Sequence, residues 1–151
     1  MRRILGLDYG AKTVGVAVSD PLFLTAQGVE TVVRERETKL RRTLARIAEI
    51  CAQYDVCRVV VGLPLLLSGE EGERAEKCRA FGAMVADRTG LPVVFADERL
   101  TTEEALLAMR EAGITDRREQ KKSVDRLAAQ LILQDYMNSL TEAEKHDIIG
   151  E

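Results

Sequence analysis

Histidine is nearly absent from this chain: His146, close to its end, is the single copy in 151 residues. A Ser-His-Asp or Cys-His hydrolase needs an imidazole inside the fold, so that class is set aside. Zinc is disfavoured too, because Cys51, Cys57 and Cys78 form no CxxC pair. Odd in number and set in helical or strand-entry patterns, they read as buried reduced thiols. Tryptophan is absent, and phenylalanine and tyrosine number three each, so no base-stacking platform is evident. No apolar run approaches the roughly 20 residues of a membrane span. Met1-Arg2-Arg3 runs straight into a strand pattern rather than a secretory signal, and a cytoplasmic location is expected. A formal charge of −3 gives no global attraction to nucleic acid.

What is present is an ordinary globular composition, 46% hydrophobic and 31% charged, which suits one domain with a sizeable core. Alternating apolar patterns predict strands near 3–9, 13–19 and 24–32, joined by short turns at Gly10 and Asp20-Pro21 as an antiparallel meander. Helical spacing of Leu40, Leu44, Ile47 and Cys51 predicts a helix over 38–54. A strand over 58–61, a helix over 72–89, a strand over 93–96, a helix over 102–111 and a long helix over 118–138 follow. This order predicts an α/β fold with a five-stranded mixed sheet, three antiparallel strands and then αβαβα, with helices on both faces. Right-handed crossovers would set the fourth strand beside the first.

Three carboxylates are out of place in this pattern. Asp8 ends an apolar strand, where an unpaired charge costs several kcal/mol. Period-two counting puts it on the face of Ile4 and Gly6, and puts Glu98 on the face of Val94 and Ala96. Both stand at C-terminal strand ends, where open α/β sheets carry their sites. Asp125 borders the apolar stripe of the long helix, with Lys122 and Arg118 one and two turns earlier. Each acid alone could be a cap or a salt bridge. Together they suggest one site for a hard cation, one or two ions of Mg²⁺ or Mn²⁺, able to activate water on a phosphodiester. Two basic clusters, Arg34 to Arg46 and Arg117 to Arg126, read either as solvated helix faces or as phosphate contacts.

Several motifs stand in order: Leu5-Gly6-Leu7-Asp8-Tyr9-Gly10, Val14-Gly15-Val16-Ala17-Val18-Ser19-Asp20, Val61-Gly62-Leu63-Pro64-Leu65, Asp97-Glu98-Arg99-Leu100-Thr101-Thr102 and Lys122-Ser123-Val124-Asp125-Arg126-Leu127-Ala128-Ala129. On these the chain resembles, over residues 3–138, the YqgF (RuvX) family of Holliday junction resolvase-like proteins. The resemblance implies a ribonuclease H-like fold and a role in 5′-end maturation of the small-subunit ribosomal RNA precursor. It implies an acidic triad of Asp8, Glu98 and Asp125 as metal ligands and catalytic groups. It also implies phosphate contacts from Lys12, Arg99, Lys121 and Lys122. One stretch departs from the family pattern: Leu66-Leu67-Ser68-Gly69-Glu70 replaces the usual Asn-Met-Asp-Gly-Thr, so substrate contacts from this loop are put in doubt.

The expected partner is structured RNA, or branched DNA in the alternative of a junction resolvase, with no membrane and a monomer or homodimer. A non-catalytic RNA- or protein-binding module is a second alternative. An actin-type ATPase is a third: Asp8-Tyr9-Gly10-Ala11-Lys12 looks like its first phosphate loop, but one domain cannot enclose ATP and no GxxxxGK[ST] is present. The domain is expected over 1–140. Residues 141–151 read as a polar tail too poor in apolar groups to order itself, and their removal is expected to be harmless.

Overall fold

The computed structural model describes residues 2–64, 68–97, 107, 111, 113 and 117–149, with 117–123 as backbone only. Five strands, β1 (Arg3–Tyr9), β2 (Thr13–Ser19), β3 (Ala26–Val33), β4 (Val56–Leu63) and β5 (Val93–Asp97), form one sheet in the order β3-β2-β1-β4-β5. The first three pair antiparallel; β4 runs parallel to β1 and to β5. The expected placement of the fourth strand against the first is therefore observed, and the C-terminal ends of β1, β3, β4 and β5 share one rim of the sheet.

Strand alternation splits the apolar side chains into two layers. Leu5, Leu7, Val14, Val16, Val18, Val59 and Val61 point to one face. There they meet Ile47, Ile50 and Cys51 of α1 (Arg41–Gln53) and Cys78, Phe81 and Val85 of α2 (Glu73–Thr89). Ile4, Ala17, Cys57 and Val60 point to the other face, against Ala129, Ile132, Leu133 and Met137 of α3 (Arg117–Asn138). The three cysteines are buried and form no disulfide, and burial pushes the Cys51 thiol up to about 11.

Some boundaries differ from the sequence expectation, among them β4, which runs from Val56 to Leu63 rather than over 58–61. β3 begins at Ala26 because the Asp20 carboxylate takes the backbone N–H groups of Leu24 (2.7 Å) and Thr25 (2.9 Å), closing a turn before pairing starts. Helix α1 starts at Arg41 rather than residue 38. The helix expected over 102–111 lies outside the described residues, apart from Leu107 and Glu111, which are helical.

Residues 141–149 are ordered, contrary to the expectation for the tail. Residues Glu142–Ile149 form a helix, α4, and Ile148 is buried in the α3-side core, against which Leu140 also packs. The reason is a reciprocal cap. The N–H of Glu144 donates to Thr141 Oγ1, and the N–H of Thr141 donates to Glu144 Oε1, both at 3.1 Å. That pair satisfies two otherwise orphaned donors and starts the helix, and one buried isoleucine then holds it down.

Candidate functional site

Helix α3 comes unusually close to the sheet because glycines floor its path. A Cβ on Gly6 would lie 2.8 Å from the Leu133 Cβ and 3.0 Å from the Ala129 carbonyl oxygen. A Cβ on Gly15 would overlap the backbone carbonyl of Asp125. Gly28 of β3 faces Arg126, and its N–H donates to Gln130 Oε1 (3.2 Å), while that of Ala26 donates to Gln134 Oε1 (3.0 Å). Two glutamines one turn apart thus satisfy donors of an edge strand that would otherwise be open to another chain.

This packing brings two of the expected carboxylates together. Asp8 lies directly opposite Gly15 in the β1–β2 ladder, and opposed residues of an antiparallel pair project to the same face. The position beside Asp8 on that face is the one that Asp125 fills with its backbone. The Asp125 side chain is fixed from the same strand: Thr13, two residues from Gly15, donates its hydroxyl to Asp125 Oδ2 at 2.5 Å. Both carboxylates are half-buried at the rim where β1 ends.

The backbone just after Asp8 is clamped. The buried Arg34 donates through Nη2 to the Gly10 carbonyl (2.6 Å), and its own N–H donates to the Lys12 carbonyl (2.8 Å). Arg74, from the first turn of α2, donates to the Tyr9 carbonyl (3.2 Å) and to Glu37 Oε1 (2.5 Å). Both guanidinium groups lie over the Tyr9 ring, at 4.8 and 4.9 Å from its centroid, and that ring stacks on Phe81 at 4.2 Å. The hydrogen bond from Arg74, together with the charge of Lys77, holds the Glu37 carboxyl below its ordinary range. The turn carrying exposed Lys12 is thus rigid on its core side and open to solvent on the other.

Of the remaining expected site residues, Lys121 and Lys122 lie on the α3 backbone one turn before Asp125. Glu98 and Arg99 lie outside the described residues, as does the stretch 65–67 of the atypical loop; among the described residues no cluster of three metal-binding side chains occurs. Val94 and Ala96, which precede Glu98 at strand spacing, pack on the α3 side of the sheet. Sequence reasoning missed Thr13, Arg74, the clamping role of Arg34 and the role of Gly15. Only Gly15 had a visible signal, a glycine amid β-branched residues, which marks a close backbone approach.

A hard-oxygen pair at a strand-end rim can hold a divalent cation, and the basic side chains around it can hold phosphate. Comparison with known proteins gives the family and the fold. Residues 2–139 match the RuvX family, described as Holliday junction resolvase. A relative from Agathobacter rectalis is 57% identical over 93% of this chain and 98% of its own length. One from Lachnospira eligens is 54% identical over 91% and 97%. Both bear the provisional name pre-16S rRNA nuclease. Among solved structures, Thermus thermophilus RuvC in complex with a Holliday junction substrate matches with a TM-score of 0.56 and 22% identity. That match covers 92% of this chain and 95% of that one. The fowlpox virus Holliday junction resolvase matches at 0.53 and 17%, over 91% and 99%. The shared ribonuclease H-like sheet with helices on both faces is what these two matches have in common with the chain.

Proposed function

The chain belongs to the RuvX family, and from that premise we propose that it is a metal-dependent endonuclease cutting phosphodiester bonds of structured RNA in 5′-end maturation of the small-subunit ribosomal RNA precursor. One observation carries this reading: Gly15 lets α3 descend until Asp125 stands beside Asp8 at the rim. Two neighbouring carboxylates repel, and a divalent cation between them would relieve that repulsion. The donors are all hard oxygens, which fits Mg²⁺ or Mn²⁺ and not a softer metal. Asp8 and Asp125 would hold the ion, with Glu98, the next position in the Val94 and Ala96 series, as the third ligand. When bound, the ion supplies Lewis-acid stabilisation of charge building on the phosphate oxygens.

The protein's own contribution is orientation. Thr13 holds one Asp125 oxygen along a fixed direction, which orients the carboxylate as a ligand. Arg34 and Arg74 lock the carbonyls after Asp8, so that carboxylate keeps its position without strain in the turn. Lys12, Arg99, Lys121 and Lys122 supply positive charge for the scissile strand. A second reading, cleavage of four-way DNA junctions, is favoured by the family's own description.

The deciding experiment incubates the purified protein with a precursor RNA and with a four-way DNA junction, with and without Mg²⁺ or Mn²⁺. Metal-dependent cutting of the RNA is expected, and cutting of the junction alone would favour the second reading. In Asp8→Asn the cleavage rate should fall about 100-fold or more, the size of effect that several kcal/mol of charge stabilisation implies. Its melting temperature should stay equal or rise, because one of two crowded negative charges is gone. An unfolded Asp8→Asn would make Asp8 a structural group and end the catalytic reading.

A further inference from the structure

One basic cluster lies outside the carboxylate pair and reaches it only through Arg34. Between the end of β3 and the first turn of α1 lies a groove of about 900 Å³, walled in part by Val32, Thr38 and Leu40. Its lining carries five cations, Arg34, Lys39, Arg41, Arg42 and Arg46, against the single acid Glu35. Some of this charge is locally matched: Arg46 bonds Glu30 at 2.6 Å and Glu49 at 3.0 Å, and Lys39 bonds Glu35 at 3.1 Å. Arg41 and Arg42 form no ion pair with any described residue. They also stand in the first turn of α1, where the aligned amides already create positive potential. That turn contains no acid and no side-chain cap, its N-cap being Leu40. Two arginines there are unfavourable for the helix alone and favourable once an anion sits against the turn.

A second observation is independent of the helix. Arg34 also lines the groove and is only 7% exposed, and its buried Nη1 has no hydrogen-bond partner among the described residues. Its Nη2 meanwhile holds the Gly10 carbonyl, two residues after Asp8. A single guanidinium thus joins the groove to the candidate active site. No aromatic side chain lines the groove, so a ligand there is gripped by charge rather than by base stacking.

We infer that this groove holds phosphates of an RNA duplex flanking the cleaved bond, as a second binding site separate from the carboxylates. The inference rests on the nuclease reading and deepens it. Binding of the full chain to a long stem-flanked RNA, titrated against NaCl with Ca²⁺ in place of the catalytic ion, tests it. In Arg41→Gln/Arg42→Gln the log–log salt slope should flatten by about 0.7 to 0.9 for each phosphate no longer neutralised, and affinity should fall about tenfold or more. Lys77→Gln/Arg88→Gln, which removes two cations of α2, should leave the slope unchanged. If the double variant misfolds, the single variants each read one step of the slope. An unchanged slope in Arg41→Gln/Arg42→Gln, or an equal loss in the α2 variant, overturns the groove assignment while wild-type cleavage keeps the nuclease reading standing. A loss on a DNA duplex of the same sequence with none on RNA overturns the assignment to RNA. Absence of wild-type cleavage with the slope change intact would overturn the nuclease reading alone.

Discussion

Each site residue works through one or two atoms, and those atoms can be removed singly. Thr13→Val keeps the shape of the side chain but deletes the donor to Asp125 Oδ2. Cleavage at limiting metal should fall about 10- to 100-fold, the usual effect of losing a group that orients a ligand, with saturation shifted to higher Mn²⁺. Thermal stability should drop by no more than about 1–2 kcal/mol. Gly15→Ala is a harsher change, because the new methyl would overlap backbone rather than a movable side chain. It should cost about 1–3 kcal/mol through overpacking and lower cleavage far more than stability alone explains; near wild-type cleavage would show that Asp125 need not stand so close. Asp8 was legible as an anomaly, a charge at the end of an apolar strand. Thr13 and Arg34 were not, because an ordinary threonine at a strand start and an arginine in a charge run acquire meaning only when the fold brings them to Asp125 and Gly10.

The elements are joined by ion pairs whose pH dependence follows from their direction. Arg46 ties α1 to β3 through Glu30, and Arg74 ties α2 to the 34–40 connection through Glu37. Hydrogen bonds from these arginines hold both carboxyls below the ordinary value of 4.5. A depressed folded-state value means the stabilisation is complete above about pH 4.5 and is lost as pH falls through the folded value. The melting temperature should therefore decline on acidification below that point, and Glu30→Gln/Glu37→Gln should show a flatter acid limb than wild type. At the C-terminus, Ile148→Ala should cost about 2–5 kcal/mol, as should truncation after Leu140, measured by chemical denaturation. A truncated chain as stable as the full one would make the α4 packing energetically idle. Strand order and the mixed sheet could be read from alternation and short turns. Helix α4 could have been read too, since Thr141-Glu142-Ala143-Glu144 is a capping box; composition alone argued for disorder, and one buried isoleucine was enough to reverse it.

At the scale of the molecule, two apolar layers hold the sheet rigid while its rim carries the chemistry. Gly15, the Arg34 and Arg74 clamp and the groove beside α1 gather at that rim, so a duplex lying across it would meet carboxylates and arginines in succession. The hydrogen bond from Thr13 to Asp125 also spans 112 residues of sequence. Contacts that distant form late, after the loop between them has closed. A chain still emerging from the ribosome holds β1 and β2 long before it holds α3, so on the proposed site it would lack one of the two carboxylates. In refolding from denaturant, cleavage should return only with the slowest phase that docks α3, and never ahead of it. Timing is thereby written into the topology: the proposed site closes only once α3 has been made and docked.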